Sequence, residues 1–106
     1  MKLRILLLAF TIAALRAPAQ LPDKPTGYVT DAAAVIPLVQ VRTLERRCAT
    51  IDQQHVAQVA IVTIQSLGGE QIDKAALDLF HGWGVERKGF NDGILIMLAT
   101  GPASTH

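Results

Sequence analysis

The chain has 106 residues, with ten Lys and Arg, nine Asp and Glu, three His, one Cys and only 5% aromatic side chains. That length is one domain. The near-balanced charge and the scarcity of aromatics exclude a basic nucleic-acid surface and a base-stacking platform, and a lone cysteine excludes an internal disulfide, with no Cys/His cluster pointing to zinc.

Residues 1–19 have the three parts of a cleavable secretory signal peptide. Lys2 and Arg4 supply a positive start, residues 5–15 are apolar, and Ala17-Pro18-Ala19 is a small-x-small cleavage site ahead of Gln20. The apolar run is shorter than the roughly 20 residues a spanning helix needs; the alternative is a retained membrane anchor. Cleavage would remove Lys2, Arg4 and Arg16, leaving seven basic and nine acidic residues. The expected setting is therefore periplasmic or otherwise extracytoplasmic.

Residues 20–27, with Pro22, Pro25 and Gly27, read as an irregular lead-in, and 28–36 as a short mixed segment opening the domain at 28–100. The strongest helix is predicted over 37–54. Leu38, Val41, Leu44, Cys48, Ile51 and His55 recur at steps of three and four, with charged residues on the other side. Pro37 suits a helix start, and Cys48 on the apolar stripe reads as a small buried hydrophobe. Residues 58–64 are β-branched and apolar without alternation, as in a central parallel strand covered on both faces. A second helix is predicted over 71–83, with Ile72, Ala76, Leu79, Phe80 and Trp83 on one face, ended by Gly82 and Gly84. A polar turn at 89–93 leads to a second buried strand at 94–99, and 101–106 is a tail. Strand, helix, strand with one preceding helix is an α/β pattern with an incomplete βαβ sheet, whose edges are open.

The residues that could carry chemistry are few. Asp31 could cap the Ala-rich turn after it or ligate a cation. Asn91-Asp92-Gly93 is turn chemistry or, with Asp31, part of a calcium or other divalent-cation site, since calcium takes carboxylate and carbonyl oxygens from loops. The metal candidates are thus Asp31, Asn91 and Asp92, provided the two loops meet. His81 and His55 fit helix C-terminal ends, where a positive imidazole is favoured. Glu86-Arg87-Lys88 reads as solvated surface. No nucleophile motif, phosphate loop or zinc-protease motif is present, and no catalytic residue is assigned.

In order, Pro25-Thr26-Gly27-Tyr28-Val29-Thr30-Asp31, Leu44-Glu45, the run 58–64 with Ser66-Leu67-Gly68-Gly69, Leu79-Phe80, Trp83-Gly84-Val85, and Lys88-Gly89 through Asn91-Asp92-Gly93-Ile94-Leu95 resemble the TPM domain family. This family includes a lumenal photosystem II repair factor and bacterial exported proteins. The resemblance spans about 25–99. It implies a three-layer α/β sandwich, a lumenal or extracytoplasmic setting, membrane association in many members, divalent-cation binding on loops of some, and a proposed acid phosphatase activity in the plant member. Two departures stand out: Glu86 stands where the family usually has Gly, and residues 100–106 stand where members continue into a partner strand with a Gly-Tyr-Gly motif and further helices, so the sequence reads as C-terminally truncated.

Three functions follow as expectations. The first is an envelope accessory or binding module, tied to membrane-protein maintenance, whose partners are a membrane or membrane proteins and not nucleic acid. The second is a weak metal-assisted phosphatase, in which a cation polarises a phosphoryl oxygen and Arg87 and Lys88 meet the phosphate. The third is a fragment without independent function.

Overall fold

A computed structural model describes residues 21–85 and 92–101. Five elements follow one another: β1 (Val29–Asp31), α1 (Leu38–Gln53), β2 (Gln58–Ile64), α2 (Ile72–Trp83) and β3 (Gly93–Ala99). The leader at 1–19, the charged run 86–88, Asn91 and residues 102–106 lie outside the described residues. Among the described residues no helix is long and apolar enough to cross a membrane.

The strands form one parallel sheet in the order β1-β2-β3. Val29 pairs with Ile61 and Asp31 with Thr63; on the other side of β2, Gln58 pairs with Gly93 and Ile64 with Ala99. The α/β class, the parallel pairing and the central place of β2 agree with the sequence pattern. The mixed segment at 28–36 needs correction, because it contains a strand, and the chain is two successive βαβ units. Three residues are too few to show a period of two, so β1 is defined by its pairing with β2 and not by its own pattern.

α1 forms because Val41, Leu44, Cys48 and Ile51 line one side, with Cys48 4% exposed. Two positions of the predicted stripe fall off it. Leu38 is 63% exposed, and His55 lies past the helix with φ +57°. Pro37 takes the cap position, its carbonyl accepting from the backbone N–H groups of Gln40 and Val41. α2 ends as a Schellman turn: Gly84 takes the left-handed conformation that a side chain resists, its N–H donates to His81 O, and Val85 N–H donates to Phe80 O. Ala75 and Leu79 are the buried residues of this helix, while Ile72 is exposed.

Val62 and Ile64 of β2 are fully buried and form the core with Leu67, Ala75 and Leu79; Leu21, Trp83, Leu95, Met97 and Ala99 pack against it. Both crossovers step the same way across the sheet, and two right-handed connections taken in one direction put their helices on one face. β3 shows the result: Leu95, Met97 and Ala99 turn toward α2, whereas Ile94, Ile96 and Leu98 remain 47%, 51% and 53% exposed. The expectation of a second buried strand at 94–99 is corrected here: among the described residues one face of β3 is covered and the other is open. β2 does meet the expectation of two covered faces at its C-terminal end, where Val62, Thr63 and Ile64 point alternately to the two faces and are all fully buried.

Candidate functional site

The opening motif, residues 25–31, becomes the outer edge of the sheet. In a parallel edge strand alternate backbone groups point away from the neighbour and need other partners. Here α1 supplies them. The Glu45 carboxylate accepts from Tyr28 N–H at 3.1 Å and from Val29 N–H at 2.8 Å. Thr26 Oγ1 donates to Val29 O at 3.1 Å, and Thr26 N–H donates to Thr30 Oγ1 at 3.0 Å. Gly27 permits this closure: a Cβ there would stand 2.5 Å from Glu45 Oε2.

Tyr28 turns its hydroxyl to Asp52, donating to Oδ2 at 2.7 Å. That bond to a carboxylate, with burial adding to it, raises the tyrosine pKa above its ordinary 10.0. Tyr28, Glu45, Asp52, Gln58 and Trp83 line a cleft of about 360 Å³ beside the start of β2. Trp83 Nε1–H is fixed across the chain by Pro22 O at 3.1 Å.

Asp31 closes β1 at the opposite end. Its Oδ1 accepts from Thr63 Oγ1 at 2.6 Å and from Val35 N–H at 3.1 Å; its Oδ2 accepts from Ile36 N–H at 3.0 Å. The Thr63 hydroxyl foremost holds the carboxyl below its ordinary value of 3.8; burial opposes it, and the backbone N–H donors add smaller lowering effects. Thr63 Oγ1 in turn accepts from Ala33 N–H at 3.1 Å. Of the two uses that the sequence allows Asp31, the structure realises the cap.

Asp92 immediately precedes β3, and its carbonyl accepts from Gln58 N–H at 2.9 Å. Register then separates the two acids. Asp31 is level with Thr63 and Asp92 lies just before the residue level with Gln58, five residues earlier on β2. At ~3.3 Å per residue the offset along the sheet is at least on the order of 17 Å. The loops that would have to meet for one shared cation sit at opposite ends of the sheet, so Asp31 and Asp92 do not fit a single calcium site. Asn91, the third candidate, lies outside the described residues, as do Arg87 and Lys88. Among the described residues no group of three or more His, Cys, Asp or Glu is placed to hold a metal ion. His81 is exposed in the last turn of α2 with its ring edge-on to Phe80 at 5.9 Å, and Cys48 is buried as predicted.

Asp52, Thr63 and Trp83 thus have structural partners that spacing could not reveal, since the contacts cross 24, 32 and 61 residues. Glu45 drew notice only through the resemblance.

No curated protein matches the chain. A family model described as TPM domain matches residues 29–105. The match opens at Val29, where Glu45 and Thr26 close the sheet edge, and runs through both crossovers and β3; the chain belongs to the TPM domain family.

Proposed function

We propose that this TPM domain is a non-catalytic accessory module of the cell envelope, exported by its leader and engaged in membrane-protein maintenance. One observation carries the non-catalytic part: Asp31, the acid of the opening motif, has both oxygens committed to Thr63, Val35 and Ile36. A carboxylate so used shapes a loop, whereas a phosphatase centre needs oxygens open to a cation or to water. Export rests on the three-part signal at 1–19. Divalent-cation binding, if retained in this role, would draw on Asp92 and Asn91 without Asp31.

The purified protein, assayed with a phosphomonoester and added calcium, magnesium or zinc, should show no turnover above the metal-only background. Turnover that disappears in Asp31→Asn or Asp92→Ala would establish the phosphatase reading instead. Intact mass of exported protein should begin at Gln20; a chain still carrying residues 1–19 would replace secretion with anchoring.

A further inference from the structure

Residues 32–39, Ala-Ala-Ala-Val-Ile-Pro-Leu-Val, form the connection from β1 into α1 and contain no polar side chain. Such a stretch belongs in a core, yet Val35, Leu38 and Val39 are 48%, 63% and 72% exposed. Four successive backbone donors of the loop are bonded within the protein. Ala33 N–H donates to Thr63 Oγ1, Ala34 N–H to Asp31 O, and Val35 and Ile36 N–H to the Asp31 carboxylate, while Pro37 has no N–H. Backbone donors already bonded within the protein lose little on leaving water, which is the condition for placing irregular backbone in an apolar medium.

The helix that follows carries the complementary charge. At about 100° per residue, Val39, Arg42, Thr43, Arg46, Arg47 and Thr50 share one half of α1, with Leu38 at its border. The acids of α1, Glu45 and Asp52, are on the other half and are engaged with Tyr28 and Val29. Arg42, Arg46 and Arg47 are exposed, and the ion pairs among the described residues belong to Lys74 with Glu70 and Asp78. A chain whose mature part is net acidic thus concentrates on one outward face three arginines that form no ion pair among the described residues, next to the exposed aliphatic side chains of Val35, Leu38 and Val39.

We propose that residues 32–39 and the Arg42/Arg46/Arg47 face of α1 form a docking surface for an anionic lipid bilayer. The aliphatic tip enters the interface and the guanidinium groups meet lipid phosphates, Arg being suited to bidentate phosphate contact. Exposed arginines alone would serve any polyanion; the adjoining aliphatic tip favours a bilayer over nucleic acid. This surface rests on the envelope setting proposed above, but not on the absence of catalysis.

The test is co-sedimentation of the purified chain with phosphatidylcholine vesicles, with and without added phosphatidylglycerol. The apolar leader can bind lipid itself, so variants are compared with wild type at an identical N-terminus. Wild type should partition preferentially to the anionic vesicles, and less so as salt rises. The triple variant Arg42→Gln, Arg46→Gln, Arg47→Gln should bind roughly a hundredfold more weakly, as each basic group at an anionic surface adds about 1 kcal/mol, and the corresponding triple Lys variant should recover most of the loss. Val35→Ser with Leu38→Ser should weaken binding while leaving the circular dichroism spectrum unchanged. Equal partition to both vesicle types, or a Gln variant that binds like wild type, would overturn the proposal. An unchanged Val35→Ser, Leu38→Ser variant, with an RNA oligonucleotide displacing the vesicles, would overturn it in favour of a general polyanion site. Phosphomonoester turnover would defeat the non-catalytic reading and leave this surface standing; lost vesicle preference in an inert protein would defeat this surface alone.

Discussion

Asp31 accepts hydrogen bonds from one hydroxyl and two backbone N–H groups, and these bonds need the ionised carboxylate. Its pKa is lowered in the folded state, so its contribution to stability is present above the ordinary value of 3.8 and is lost as pH falls through the lower folded value. Asp31→Asn should melt at a lower temperature than wild type near neutral pH, and the gap should shrink as the pH drops below about 4. A gap independent of pH would mean that the ionised form has no special role. Tyr28 titrates in the opposite sense. Its raised pKa implies a contribution intact below pH 10.0 and lost as pH rises through the folded value. Gly27 is the third position where one atom matters. In Gly27→Ala the new Cβ meets Glu45 Oε2, and retreat of that carboxylate would strand the Tyr28 and Val29 N–H groups. A loss of about 1–3 kcal/mol is expected, the usual range for overpacking, read as a shift of the urea midpoint at constant slope.

Elements differ in how completely they are covered, and substitutions should follow that difference. Leu79 of α2 is 5% exposed against Val62 and Ile64, so Leu79→Ala should cost about 2–5 kcal/mol. Ile96→Thr, on the uncovered face of β3, should lie within about 0.5 kcal/mol of wild type, as surface changes do. Near-equal losses at the two positions in denaturant titrations would show that the open face is buried in solution. The same contrast marks what could be read from sequence. β2 matches its predicted span, and α2 starts one residue later than predicted, because an apolar β-branched run and a left-handed glycine are local signals. β1 was not legible: a three-residue strand has no pattern, and its partners lie 30 or so residues away. Missing β1 also hid the fate of the metal candidates. Asp31 ends one parallel strand and Asp92 precedes another, and in a parallel sheet those two places are at opposite ends. Glu45 and Asp52 look like ordinary helix-surface acids until β1 and Tyr28 are placed beside them.

The two outer edges of the sheet are treated differently by the molecule as a whole. The β1 edge is closed by Glu45 and Thr26. β3, Gly-Ile-Leu-Ile-Met-Leu-Ala, is the other outer strand in the described order and carries no charge or proline. Such strands template pairing between chains unless guarded, so the protein should self-associate with rising concentration. Ile96→Lys should suppress this in sedimentation velocity without lowering the melting temperature; association unchanged by Ile96→Lys would place the contact elsewhere.

The burial of Cys48 has a consequence for watching this molecule move. It is the one sulfhydryl in the sequence, 4% exposed on the inner side of α1, and burial raises its pKa. Both effects slow alkylation, which needs an exposed thiolate. Reaction with a thiol probe should therefore wait for α1 to lift from the sheet, and the labelling rate across a denaturant series becomes a clock for that opening. If the rate follows the global unfolding equilibrium, helix and sheet open together; if it runs ahead, α1 detaches on its own. The protein thus carries, without any engineered label, a reporter seated under the helix whose outer face bears Arg42, Arg46 and Arg47, and slower labelling on anionic vesicles would register docking from the inside of the fold.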